Sequence, residues 1–289
     1  MQVIKPGLPS SLKRTGIYYR VKNSWLYDLY WSVADHRLIE DRNDEDEFYR
    51  ELLHGFRLDD LIFDVGANVG NKTSVFLRLG ARVVSIEPDE ANQEVLRAKF
   101  LRHRFVPKHV IVVGKAVSDK AAVETMWIDG AGSAVNTLSR KWADTLKAKK
   151  DEFEHGNCGL EFAHSKNVET TTLEDLILAH GLPFFVKIDV EGYEAKVIRG
   201  LKHPVPFLSY EINFPEFRQE GLECLGLLGD LAADGEFNYA PELQYKMALE
   251  RWLGAREFAT VIEQCSERSI EVFWRTPQAR EIESKLPSR

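Results

Sequence analysis

Residues 61–88 constrain this chain more than any other stretch. LIFDVGANVGNKT, Leu61 to Thr73, reads as an apolar strand running into a turn with Asp64, Gly66 and Gly70, after which a helix begins. RVVSIEP, Arg82 to Pro88, reads as a second apolar strand ending in an acid, Glu87. Glycine lets a backbone pass close to a ligand because no Cβ intervenes. An acid at the second strand's tip, roughly 20 residues past the glycine turn, can accept hydrogen bonds from both ribose hydroxyls. The unit therefore predicts an α/β nucleoside site.

The turn also bears on which nucleoside. A dinucleotide site usually carries a third glycine in the middle of the turn and cradles a pyrophosphate. Here Asn68 stands at the middle position and Asp64 precedes the first glycine. A carboxylate repels phosphate but suits a cation. The expected ligand is S-adenosylmethionine, with its ammonium and sulfonium groups, rather than NAD.

The 289 residues suit one large α/β domain with extensions. A net charge of −7 argues against a nucleic-acid partner, because such binders usually present a basic surface. One local basic run, Arg97, Lys99, Arg102, His103 and Arg104, reads as a solvated helix face. Cys158, Cys224 and Cys265 show neither disulfide nor zinc spacing. The first residues lack the apolar core of a signal peptide, and no run reaches the ~18 apolar residues of a membrane span. A cytoplasmic, membrane-free protein is the expectation.

Residues 1–58 read as an N-terminal cap, with aromatics Tyr18, Tyr19, Trp25, Tyr27, Tyr30 and Trp31 and a helix over 44–53. From Leu61 strands and helices alternate. Strands are expected at 61–65, 82–87, 109–117, 184–189 and 207–213, with a side hairpin at 121–128 and 168–172 and a closing pair at FNYAPE and SIEVFWRT around a helix at 254–264. This order predicts a Rossmann-like, mostly parallel seven-stranded sheet, helices on both faces, with an antiparallel final strand, over residues 59–277. Residues 278–289 read as a tail. The excursion at 139–167, with His155 and His164, is long for a connection and reads as a substrate lid or a surface loop. Ligands in such sheets bind beyond the carboxyl ends of the strands, which collects Asp64–Gly70, Glu87, Ser118, Asp189 and Glu211 along one edge.

DVGANVGNKT, VSIEPD, KAVSDKAA, TTLEDL and FVKIDVEGYEAKVIRG together resemble the FkbM-type methyltransferases, a branch of the class I S-adenosylmethionine-dependent enzymes, over about residues 60–215. The resemblance implies that Asp64, Gly66, Asn68 and Gly70 hold the methionine part of the donor, with Ala67 in the same turn. It implies that Glu87 holds the ribose, Pro88 following it, and that Ala116, Val117 and Ser118 flank the adenine with Asp119 close by. Asp189 would stand at the methyl-transfer end. The implied reaction is O-methylation of a small-molecule acceptor, a sugar or secondary metabolite.

A hydroxyl acceptor needs positioning and loss of its proton, to a base or through a metal. Lys187, Asp189, Glu191 and Glu211 are the candidates for that chemistry. Lys187 and Asp189 share one strand face. Asp189, Glu211 and Asn213 make an oxygen-rich set suited to Mg²⁺, although the resemblance does not require a metal. Two other readings stay open. Lys187, Asp189 and Glu211 partly echo the Lys-Asp-Lys-Glu set of ribose-methylating RNA enzymes, and a donor-binding scaffold without catalysis would share the same turn.

Overall fold

A computed structural model describes residues 36–105, 109–148, 162–242 and 244–284. The expected cap aromatics, His155 and Cys158 lie outside these residues. The described residues open on helix α1 (His36–Leu52) and continue through β1 (Leu61–Val65), α2 (Asn71–Arg78), β2 (Arg82–Ile86), α3 (Glu90–Lys99), β3 (Val110–Val113), β4 (Ala116–Val117) and β5 (Val123–Ile128). Next come α4 (Arg140–Ala148), β6 (His164–Thr171), α5 (Leu173–His180), β7 (Phe185–Ile188), α6 (Glu194–Arg199) and β8 (Phe207–Asn213). The last part is α7 (Arg218–Leu231), β9 (Glu236–Pro241), β10 (Leu253–Gly254), α8 (Ala255–Gln264), β11 (Ser269–Arg275) and α9 (Pro277–Ser284).

The main sheet runs β10-β9-β11-β8-β7-β1-β2-β3. Strands β3, β2, β1, β7 and β8 are parallel, and β11 and β9 join antiparallel. The α/β architecture is the expected one. An eighth strand, the two-residue β10, extends the predicted seven at the edge. The expected strand over 109–117 divides: β3 stays in the main sheet, while β4 pairs with β6 in a second sheet of order β4-β6-β5. Gly114 sits at the break. The expected tail includes α9, which begins at Pro277, a residue that fits a helix's first turn because its missing N–H would be unpaired there anyway.

Alternation along the strands sorts the core into two faces. Phe63, Val65, Val84, Ile86, Val186, Ile188, Leu208 and Tyr210 meet α5, α6, α7 and α8. Ile62, Val83, Phe185, Phe207 and Phe273 meet Phe48, Tyr49 and Leu52 of α1 and Phe76 of α2. Each such side chain, fully buried, contributes about 1.5–3 kcal/mol. Helix α1 is locked down further: Arg78 of α2 holds Asp46 through two bonds of 2.7 and 2.6 Å, and Lys72 pairs with Glu45.

The α1-facing side changes character toward the strands' carboxyl ends. In register, Asp64 pairs with Ser85 on one side and Lys187 on the other, and Lys187 pairs with Ser209. Each lies two residues beyond an apolar position, so the same alternation that buries Ile62, Val83, Phe185 and Phe207 buries this polar rung. Buried polar groups need partners. Thr73 of α2 donates to Asp64 at 2.5 Å and stands 2.9 Å from the Ser85 hydroxyl. Ser209 donates to Glu271 at 2.7 Å. Thr73→Val should cost about 1–3 kcal/mol in urea unfolding, because the Asp64 oxygen then lacks its donor in a dry site.

Candidate active site

A cleft of about 190 Å³ opens at the carboxyl ends of β1, β2 and β7. Its floor is the turn after β1. Gly66, Asn68 and Gly70 all adopt positive φ (81°, 48° and 77°), a region that glycine enters freely and asparagine tolerates. Gly66 has a second reason to be glycine. A Cβ there would lie 1.8 Å from the carbonyl oxygen of Asp189 at the end of the neighbouring strand.

Glu87 forms one wall. Its Oε2 accepts from the Asn68 amide at 2.8 Å and its Oε1 from the Asp89 amide at 2.7 Å. Each oxygen is thus anchored by one backbone donor, and the Asn92 side chain adds a further bond, which still leaves acceptor capacity for a ligand hydroxyl. Burial raises the carboxyl to about 7, against the pull of those two amides. Asp89 caps α3 through bonds to the amides of Ala91 and Asn92.

The opposite wall carries Asp189, Val190 and Glu191. Lys187 lies just below, its side chain 5% exposed, and donates to Asp189 at 2.8 Å. Burial opposes the charge on Lys187, but Asp189, Glu271 and Asp64 outweigh it and raise the ammonium's pKa. Burial likewise pushes Asp189 up, while Lys187 prevails and holds it below the usual carboxylate range. Asp189 is therefore a fixed negative charge. Glu191 differs: burial first, then Asp189, Glu211 and Glu194, raise its carboxyl well above its ordinary value.

The backbone around Glu191 is clamped. Glu191 and Gly192 have φ of 57° and 82°, and non-glycine residues hold such a conformation only when their surroundings impose it. Glu194 accepts from the amides of Val190 and Gly192 at 3.2 Å each, and the Thr137 hydroxyl donates to the Glu191 carbonyl at 2.7 Å.

Several expected residues join at this cleft: Gly66, Asn68, Glu87, Pro88, Ala116, Val117, Asp189 and Glu191 line it. Others stand behind it. Asp64, expected beside the ligand's charge, is buried and bound to Thr73; strand alternation turns it away from Val65, which does line the cleft. Burial raises its carboxyl. Ala67 is buried against α3, and a Cβ on Gly70 would meet Phe100 and Leu96, so both serve packing. Ser118 donates to Glu124 at 2.7 Å and is not among the lining residues, whereas Tyr193, which also donates to Glu124, is. Glu211 accepts from Ser269 at 2.7 Å; burial and then Asp189 push it up to about 8.

The Mg²⁺ expectation does not fit. Asp189 is already paired with an ammonium, Glu211 is bonded to Ser269, and Asn213 is outside the lining. Among the described residues no three His, Cys, Asp or Glu side chains form a metal-binding group. Among them, too, no helix is long and apolar enough to cross a membrane. The basic run serves α3 in part: Arg97 bonds Gln93 at 2.9 Å and Lys99 reaches the Gly70 carbonyl at 3.2 Å.

Other lining residues carry no signal in the sequence reading: Asn92 and a loop comprising Ser133, Ala134, Asn136, Thr137 and Leu138; Lys115, also in the lining, opens the KAVSDKAA block but has no assigned role there. Tyr193 lies within the KIDVEGYE block and was findable there. The expected lid is placed differently. Helix α4 within it buries Trp142, Ala143 and Leu146 in the core, and Lys141 ties it to α7 through Glu220 at 2.5 Å. The loop before it lines the cleft instead; residues 149–161 lie outside the described residues.

A glycine turn after the first strand and an acid at the tip of the second, set at the edge of a parallel sheet, define a Rossmann-like α/β domain. Residues 64–247 match the model of the methyltransferase FkbM domain, and the chain belongs to that family, one of S-adenosylmethionine-dependent methyltransferases. It is 29% identical over 203 residues to the 31-O-demethyl-FK506 methyltransferase FkbM of Streptomyces tacrolimicus, covering 63% of this chain and 74% of that protein. It is also similar to the crystal structure of methyltransferase FkbM from Methylobacillus flagellatus KT, at 15% identity and a TM-score of 0.45 over 75% of this chain. The match spans only 44% of that longer chain. An S-adenosylmethionine-dependent O-methyltransferase from Thermotoga maritima matches at 12% identity and a TM-score of 0.37, over 80% of this chain and 64% of that one.

Proposed function

We propose that this protein transfers a methyl group from S-adenosylmethionine to a hydroxyl oxygen of a small-molecule acceptor. The observation that carries this reading is the pairing, within one cleft, of a ribose-facing acid, Glu87, with a clamped carboxyl of raised pKa, Glu191. S-adenosylmethionine supplies, when bound, a methyl group already activated by a sulfonium. The protein's own part is to hold, orient and take a proton. Glu87 accepts from the ribose hydroxyls. Gly66, Asn68 and Pro88 line the donor side, and Val117 and Tyr193 supply flat or apolar surface beyond them. Asp189, kept ionised by Lys187, favours positive charge at the transfer end. Glu191 takes the acceptor's proton. The Streptomyces tacrolimicus relative, whose name places a methyl on an oxygen of a natural product, supports the hydroxyl assignment.

Two measurements test this. Labelled donor offered with a panel of sugars and hydroxylated macrolides, 31-O-demethyl-FK506 included, should yield a methyl ether identified by NMR. A methylated nitrogen or carbon would refute the acceptor class. On the donor side, ribose hydroxyls need the Glu87 carboxylate rather than the acid. Its raised pKa means that S-adenosylhomocysteine affinity should climb as pH rises through about 7 and level off above. Glu87→Gln should weaken that affinity by about 10–100-fold, the loss of a charge-assisted bond, and flatten the pH dependence in calorimetry.

A further inference from the structure

The cleft wall at 133–138 is tied to the rest of the site at two points, by adjacent residues. Asn136 makes one of them through its amide. Its Nδ2 donates to Asp89 Oδ2 at 3.1 Å and to the Gly130 carbonyl at 2.9 Å. Its Oδ1 accepts from the Asp129 amide at 2.9 Å. Thr137, 1% exposed, makes the other tie, to the Glu191 carbonyl, and its backbone bridges to Trp127 in the second sheet at 2.7 and 3.1 Å. The loop also docks on the start of α3. A Cβ on Gly132, at φ 71°, would lie 3.2 Å from the Asn92 amide oxygen.

The tie at Asn136 ends on the group that fixes the ribose acid. Asp89 gives its backbone amide to Glu87 Oε1, while its side chain uses Oδ1 on the helix and Oδ2 on Asn136. Lys166 stands 3.8 Å from the same Oδ2, a looser contact. Glu87 is therefore oriented by a residue whose own carboxylate is held by a loop 47 positions along the chain.

We infer that Asn136 is a positioning residue for the nucleoside donor: through Asp89 it sets the orientation in which Glu87 meets the ribose, while Thr137 beside it holds the transfer end. This rests on the donor reading above. Asn136 also lines the cleft, but both its amide protons are taken and its oxygen already accepts one bond, so the inferred route runs through Asp89 to Glu87.

A double-mutant cycle on S-adenosylhomocysteine affinity, read by calorimetry, tests this route. Asn136→Ala should weaken binding about tenfold in the wild-type background. In a Glu87→Gln background the same change should cost less than about twofold, since the group it orients has already lost its charge. An equal loss in both backgrounds overturns the inference, because it would mean that Asn136 acts independently of Glu87. No loss in the wild-type background overturns it too. Asn136→Asp keeps the shape and the acceptor toward Asp129 while turning a carboxylate on Asp89. Its affinity should fall at least as far; unchanged affinity in that variant, shown to be folded by a cooperative melting transition, counts against the route. A wild-type protein that does not bind S-adenosylhomocysteine is a separate result, and it removes the donor reading itself.

Discussion

Glu191→Gln is expected to lower the rate of methyl transfer by about 10²–10⁴-fold, the usual contribution of a positioned general base, with S-adenosylhomocysteine binding little changed. Glutamine has nearly the same shape and keeps the backbone clamp of Thr137 and Glu194, so the loss would report chemistry rather than folding. The pH profile separates the two further. A base works only when unprotonated, so activity should rise with pH along an acid limb. Burial and the neighbouring carboxyls of Asp189, Glu211 and Glu194 displace that limb upward from the ordinary glutamate range. In Glu191→Gln the displaced limb should vanish, in initial rates taken from about pH 5 to 9 on the acceptor that the panel identifies. A variant that keeps the wild-type rate and profile would make Glu191 a structural residue.

Lys187→Met should destabilise the fold by about 3 kcal/mol in urea unfolding at neutral pH. Removing one partner of a buried ion pair leaves the other charge uncompensated, which typically costs about 3–5 kcal/mol. The lower end applies because the Asp189 side chain keeps 38% of its surface open to the cleft. The sign of the pH effect follows. Without the ammonium, the burden is the ionised state of Asp189 and Asp64, so protonating them relieves it. The gap between variant and wild type should therefore narrow on acidification. A gap that stays constant would mean that lost packing of the lysine's methylene stem, not charge, explains the cost.

Much of the architecture was legible because apolar alternation and helical spacing act locally. Strand β8 and helix α5 fall where expected, and the cleft forms at the predicted edge between Gly66, Glu87 and Asp189. What escaped has physical reasons. The division of 109–117 depends on β4 finding β6, a partner some fifty residues away, and no local pattern encodes that pairing. The loop holding Asn136 and Thr137 carries no motif, since its role rests on single amide and hydroxyl bonds to distant segments. Asp64 was misplaced by reading its position in the turn without its strand parity: Val65 faces the cleft, so its neighbour faces α2. The metal set failed for a related reason. Sequence put three oxygen-bearing side chains near one edge, but a lysine already supplies the cation there.

The crowding of Gly66 against the Asp189 carbonyl has an implication for how such turns are interpreted. The demand for a residue without a side chain comes from the adjoining strand, and it would persist in a descendant that had lost every affinity for nucleosides. A glycine surviving at that point is thus testimony to inherited architecture. The acid at the tip of the second strand answers to its neighbours too, since it satisfies the amides of Asn68 and Asp89, so the presence of either residue alone is no witness to a living binding site.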